Sequence, residues 1–147
     1  MSEKEFKCSP VGKVQAGPDG FVLKIASKYR NALLGLDGFG HINVIWWSHY
    51  LDTPEYRNIT ESEQPYANGP SKLGIFATRT NLRPNPVGLT LVELVKAEGN
   101  VLTVRGLDAF DGTPVLDIKP FDSWDMAKDV RVPSWWTELE KEKAQPR

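Results

Sequence analysis

The sequence predicts a mainly β protein: a compact antiparallel barrel, closed or nearly closed, carrying a few short helices. Short runs rich in β-branched and aromatic residues recur along the chain, and Gly, Pro, Asn and Asp clusters separate them at close spacing. Helical periods of the length that a parallel βαβ sheet needs between its strands do not occur. Gly38-Phe39-Gly40 lacks the third glycine and the following helix of a dinucleotide fingerprint, which argues against a Rossmann fold.

In chain order, Val11–Gln15 and Phe21–Ile25 flank Ala16-Gly17-Pro18-Asp19-Gly20 and read as a hairpin. Tyr29–Leu36 has no β-branched residue and reads as a helical turn ending near Asp37-Gly38. His41–Tyr50 is a strand with bulky groups on both alternate faces, as in a buried barrel strand. Asp52–Lys72 loses periodicity and gains Pro54, Pro65, Gly69 and Pro70, so a long loop is expected, of the kind that is often functional. Gly74–Ala77 resumes as a short strand and Thr78–Pro86 breaks it. Val87–Lys96 then pairs with Val101–Leu107 through Glu98-Gly99-Asn100. Asp108–Thr113 is a turn-former cluster, Pro114–Lys119 a last strand, and Glu138–Lys143 a solvated helix in a charged tail.

At 147 residues, with 40% apolar and 25% charged side chains, the chain has the size and balance of one globular domain. Its longest apolar run, Ile42–Trp47, is far short of the ~20 residues that cross a bilayer. Met1–Lys7 is charged and leads into no signal-peptide core, so a cytoplasmic protein with no membrane association is expected. Cys8 is the lone cysteine and is expected to be inert. His41 and His49 match no zinc spacing, so no metal is expected. A net charge of -1 argues against coating nucleic acid by bulk electrostatics and leaves only a local contact.

Two segments concentrate the chemistry. Thr78-Arg79-Thr80-Asn81-Leu82-Arg83-Pro84-Asn85-Pro86 packs guanidinium and amide groups between prolines. Each proline holds the residue before it extended, so the loop loses little entropy when it meets a ligand. Leu107–Pro114 followed by Asp117-Ile118-Lys119-Pro120 gathers carboxylates and a lysine around a tight turn. Such groups suit ribose hydroxyls, an ammonium group or an adenine edge. Taken alone, Asp108 and Asp111 read more simply as turn formers.

These segments, GIFATRTNLRPNPVGLTLVEL (Gly74–Leu94) and LDAFDGTPVLDIKPF (Leu107–Phe121), closely resemble the TsaA-like family that includes the TrmO tRNA methyltransferases. The likeness extends to PVGKV (Pro10–Val14), GLDGFGHINVIWWSHY (Gly35–Tyr50) and VRVPSWW (Val130–Trp136). It implies one TsaA-like β-barrel domain over residues 1–147, with a core over 10–136 and a tail over 137–147. It further implies a homodimer that binds S-adenosyl-L-methionine and methylates N6 of threonylcarbamoyladenosine beside the tRNA anticodon.

Carried over by residue, the resemblance implies cofactor contacts at His49, Tyr50, Arg79, Leu89, Leu107, Asp108 and Ala109, with Gly112 and Thr113 behind them. Asp111 and Lys119 are the candidate proton-handling groups, and Arg83 and Asn85 the candidate acceptor contacts. Trp135 and Trp136 are candidates either for a dimer interface or for a cap on the barrel end. The family's tRNA enzymes carry a Ser-Pro-Tyr-Lys stretch and a Pro-Arg-Gln-Pro-Gly segment after the first strand, where Gln15–Gly20 alone joins the strands here. That departure keeps two alternatives open, a small-molecule methyl acceptor and a non-catalytic module that binds S-adenosylmethionine or RNA.

Overall fold

The computed structural model describes residues 3–18 and 20–144. Strands β1 (Gly12–Gly17), β2 (Gly20–Ile25), β3 (His41–Trp47), β6 (Val87–Glu98), β7 (Val101–Arg105) and β8 (Pro114–Pro120) form a closed barrel in the order β1-β2-β7-β6-β3-β8. Every neighbouring pair is antiparallel. Two short strands, β4 (Glu61–Glu63) and β5 (Lys72–Gly74), make a separate ribbon outside it.

Alternation along the strands fills the barrel. In β3, Ile42, Val44 and Trp46 are buried while Asn43, Ile45 and Trp47 are half-buried on the other face. Val14, Leu23, Val92, Leu102, Val104 and Val115 meet them from the remaining strands. Burying each such side chain contributes about 1.5–3 kcal/mol. The hairpin of β6 and β7 turns on Gly99 and Asn100, and Gly99 takes φ +58, which an ordinary side chain resists.

Closure is thinnest between β1 and β8, where only Gly12↔Val115 and Lys13↔Pro114 pair in register. Backbone bonds from Gly112 N to Val14 O (2.8 Å) and from Val14 N to Thr113 O (2.9 Å) carry the seam further. The turn before β8 therefore belongs to the barrel's closure as well as to the loop.

Several boundaries differ from the sequence expectation. Strand β3 stops at Trp47, and His49–Leu51 is a 3-10 turn, because Ser48 leaves extended geometry as its N–H turns to Pro86 O. Gly74–Ala77 is not a strand: β5 ends at Gly74 and Ile75–Ala77 forms a 3-10 turn, fixed by Thr78, whose hydroxyl and N–H both donate to Ile75 O. Asp52–Lys72 is not unstructured throughout, since it holds helix α1 (Pro54–Arg57), capped by Thr53, and β4. The turn over Tyr29–Leu36 is 3-10 in form, spanning Ser27–Leu33 and then Leu36–Gly38. Helix α2 (Ser134–Ala144) starts early enough to include both tryptophans of the Trp-Trp pair.

Candidate functional site

An open cleft of about 740 Å³ lies against β6, between the loop that follows β5 and helix α2. Its size is that of a small-molecule or cofactor site. Leu89, Thr90 and Asp108 form the barrel wall, Arg79 and Arg83 come from the Pro-rich loop, and Tyr66 and Trp136 face them.

The barrel wall depends on Gly88. Trp46 and Gly88 are register partners on β3 and β6, and a Cβ at residue 88 would overlap the Trp46 indole. With that space free, Trp46 Nε1 donates to Thr90 Oγ1 (3.0 Å), and the Thr90 hydroxyl donates in turn to Asp108 Oδ1 (2.7 Å). The relay orients a carboxylate that is otherwise exposed, and Asp108 is the only carboxylate lining the cleft among the described residues.

The loop wall is held from outside. Arg57 in α1 donates to Pro84 O (2.7 Å), to Asn85 Oδ1 (2.9 Å) and to Asp52 Oδ1 (3.0 Å), and it stacks on Trp47. The planar fork suits this use, because its N–H groups diverge at fixed angles. Arg83 braces the loop from within by donating to Thr78 O and Thr80 O, both at 2.9 Å. Arg79 is the exposed cation of the loop, and none of the ion pairs among the described residues involves it.

The structure sorts the sequence candidates into groups. Arg79, Leu89, Asp108 and Arg83 share the cleft. Leu107 and Ala109 flank Asp108 with their side chains buried in the barrel, which leaves the backbone as their means of contact. His49 stacks on Tyr50 (4.1 Å between ring centres), and Tyr50 meets Phe110 edge-on (6.0 Å). These aromatics thus form a shelf beside the Leu107–Thr113 turn. His49 Nδ1 is buried with no hydrogen-bond partner among the described residues, a cost that a ligand group would relieve.

The other candidates lie elsewhere. Asn85 is exposed and its side-chain oxygen is taken by Arg57. Asp111 Oδ1 accepts the Ala16 N–H (2.8 Å) at the barrel seam, and Thr113 is buried there. Gly112, at φ +81, lines a different hollow beside Lys13 and Lys24. Lys119 pairs with Asp117 on β8 (3.2 Å). Sequence reasoning did not single out Tyr66, Thr90, Trp46 or Arg57. The one pointer was the length of the Asp52–Lys72 segment, which contains Tyr66 and Arg57.

The family described as the tRNA-methyltransferase O N-terminal domain matches residues 7–125. The chain belongs to that family. A probable S-adenosyl-L-methionine-binding protein of Pyrococcus horikoshii is 39% identical over 131 residues, covering 88% of this chain and 93% of the relative. A tRNA (adenine(37)-N6)-methyltransferase of Mus musculus is 42% identical over 92 residues, 63% of this chain and 21% of the mouse protein. A crystal structure of TrmO superimposes with a TM-score of 0.70 at 26% identity, covering 88% of this chain and 64% of that one. The chain therefore spans nearly all of the archaeal relative and less than two thirds of the TrmO chain. The family match includes Arg79, Leu89 and Asp108, whereas α2 with Trp136 lies beyond it. Among the described residues there is no helix long and apolar enough to cross a membrane and no cluster of metal-ligating side chains.

Proposed function

We propose that the protein is an S-adenosylmethionine-dependent methyltransferase that acts on N6 of threonylcarbamoyladenosine beside the anticodon of tRNA. The observation that carries this reading is the convergence of Arg79, Leu89 and Asp108, from two separate motif segments, on one cleft. The residues fit the cofactor chemically. Arg79 offers an exposed guanidinium to the methionine carboxylate as a charge-assisted pair. Leu89 is 52% exposed although it sits on a central strand of the barrel, and an adenine face would cover it. Backbone groups at Leu107–Ala109 suit the adenine edge.

When bound, the cofactor supplies an electrophilic methyl group on a sulfonium. The chain's share is alignment of the acceptor nitrogen and a place for its proton. Asp111 and Lys119 lie outside the cleft, so we assign the proton-accepting role to Asp108. Thr90 holds one carboxylate oxygen and leaves the other to accept from the acceptor N–H.

Isothermal titration with S-adenosylhomocysteine, alongside methyl transfer from labelled S-adenosylmethionine to an anticodon stem-loop RNA bearing threonylcarbamoyladenosine, tests the reading. Saturable binding with transfer is expected. Absence of binding by the folded protein would end the methyltransferase reading. A second reading, a binding protein without turnover, is favoured by the archaeal relative, a probable S-adenosyl-L-methionine-binding protein that this chain spans almost end to end. Binding without transfer to RNA or to extract metabolites would select it. Asp108→Asn separates the roles of that residue: a rate loss of at least tenfold with unchanged S-adenosylhomocysteine affinity is expected. A parallel loss of affinity would make Asp108 a cofactor ligand instead.

The reading also includes a homodimer acting in the cytoplasm. Leu91 and Val95 leave apolar surface exposed on β6, the strand that carries Leu89. Sizing chromatography at several concentrations tests the assembly, and a monomer at all of them would exclude it.

A further inference from the structure

We propose that Tyr66 and Trp136 form a stacking corner for the nucleobase that accepts the methyl group, and that Lys143 holds a phosphate of the same nucleic acid. The proposal rests on the methyltransferase reading and deepens it by assigning the acceptor's side of the cleft.

Tyr66 is held at its hydroxyl and at its carbonyl. Its hydroxyl accepts the Arg79 N–H (3.1 Å), and its carbonyl accepts from Gly69 N and Gln64 Nε2 (each 3.1 Å). Its ring stacks on Trp135 at 5.3 Å and meets Trp136 nearly edge-on at 5.2 Å. Gly69 makes room for this, since a Cβ there would press on the Trp135 indole at 3.3 Å. Gln64, just before the turn, takes φ 45, a left-handed conformation that is uncommon for a residue with a side chain. Backbone strain of this kind persists where the surroundings over-determine a segment, and functional sites collect it.

Trp135 thus backs the corner and Trp136 opens on the cleft, together with Tyr66. Rings crossing at 72° present a face and an edge rather than a closed sandwich, which leaves a planar ligand one face to stack on. Both walls are packed on neighbouring rings in the absence of a ligand, which lowers the ordering cost of binding.

Charge complementarity favours nucleic acid as the occupant. The cleft wall carries Arg79, Arg83 and Lys143 against Asp108, its one carboxylate among the described residues, although the whole chain has a net charge of -1. One cation answers the cofactor's carboxylate, and the excess suits a phosphodiester. A neutral small acceptor would leave that excess unmatched. Every base has a face that an aromatic ring can stack on, so the corner supplies affinity while position selects the nitrogen.

The test compares wild type, Trp136→Leu and Lys143→Ala for two probes, S-adenosylhomocysteine and the anticodon stem-loop RNA bearing threonylcarbamoyladenosine. Helicity and Tm are measured for each protein. Trp136→Leu is expected to weaken RNA binding about tenfold, the scale of one lost stacking contact, and to leave S-adenosylhomocysteine affinity within about twofold. Lys143→Ala, which alters no packed side chain, is expected to lower the salt dependence of RNA binding by about one phosphate contact.

Loss of S-adenosylhomocysteine affinity in Trp136→Leu would assign the corner to the cofactor's own adenine and overturn the proposal. So would unchanged RNA affinity in both variants, or a wild type that binds S-adenosylhomocysteine and no RNA. A wild type that binds neither probe would instead remove the underlying methyltransferase reading. If Trp136→Leu does not fold, the Lys143→Ala salt slope and the quenching of wild-type tryptophan fluorescence by each probe decide: quenching by RNA beyond that by S-adenosylhomocysteine is expected, and equal quenching overturns it.

Discussion

The two motif-bearing segments are built on opposite plans. The loop Thr78–Pro86 is braced by Arg83 from within and by Arg57 of α1 and the hydroxyl of Tyr66 from outside, and it keeps Arg79 exposed over the cleft. The turn Leu107–Thr113 turns most of its side chains to the barrel: Leu107, Ala109 and Thr113 are buried, Asp111 ties down β1, and Asp108 alone reaches the cleft. A distinctive run of residues can thus be required by closure of the fold as much as by chemistry, and its conspicuous carboxylates do not all serve one site.

The largest expected effect sharpens the first half of that contrast. Arg79→Ala removes a side chain with no bracing role, so Tm is expected to hold while S-adenosylhomocysteine binding weakens on the order of 10- to 100-fold, as for a lost hydrogen bond to a charged group. Thermal unfolding and titration of the same sample separate the two. A fall in Tm matching the affinity loss would make Arg79 a brace.

Gly88→Ala breaks the barrel wall itself. The added methyl overlaps the Trp46 indole, so overpacking is expected to cost about 1–3 kcal/mol in urea unfolding and to displace Thr90 from Asp108. Stability equal to wild type would mean that the indole moves aside freely and that the Trp46–Thr90–Asp108 relay holds nothing in place.

Arg57→Ala probes preorganisation at a distance. Losing the contacts to Pro84 and Asn85 frees the loop without touching the cleft, so a several-fold loss of cofactor affinity is expected with a modest drop in Tm. Arg57→Lys should not restore it, because an ammonium cannot reach three acceptors in the guanidinium's plane. Rescue by lysine would reduce the role of residue 57 to charge.

Much of the barrel was legible because its strands carry their own signal. Ile42, Val44 and Trp46 alternate inward, and Gly99-Asn100 marks the hairpin between β6 and β7. The Pro-rich loop was legible from its composition. What was hidden depends on contacts far apart in the chain: Arg57 reaches Asn85 from 28 residues away, and Thr90 reaches Asp108 from 18. Trp135 and Trp136 invited two readings, an interface or a cap, and within the chain they pack on Tyr66. No local pattern announces such a pairing, since Tyr66 sits in a stretch with no period at all.

Asp111 gives the smallest effect and the closest test of the contrast. Its carboxylate accepts the Ala16 N–H where the β1–β8 ladder has run out of strand pairs, so the side chain stands in for a missing rung. The bond is solvent-exposed, and Asp111→Ala is expected to cost about 0.5–1.5 kcal/mol in urea unfolding, with S-adenosylhomocysteine affinity and methyl transfer unchanged. Hydrogen exchange at Ala16 should quicken before that of the β6–β7 hairpin, because the seam is the barrel's weakest joint. If Asp111→Ala kept its stability and lost transfer, the carboxylate would belong to the chemistry, and the turn would serve the cleft along its whole length rather than at Asp108 alone.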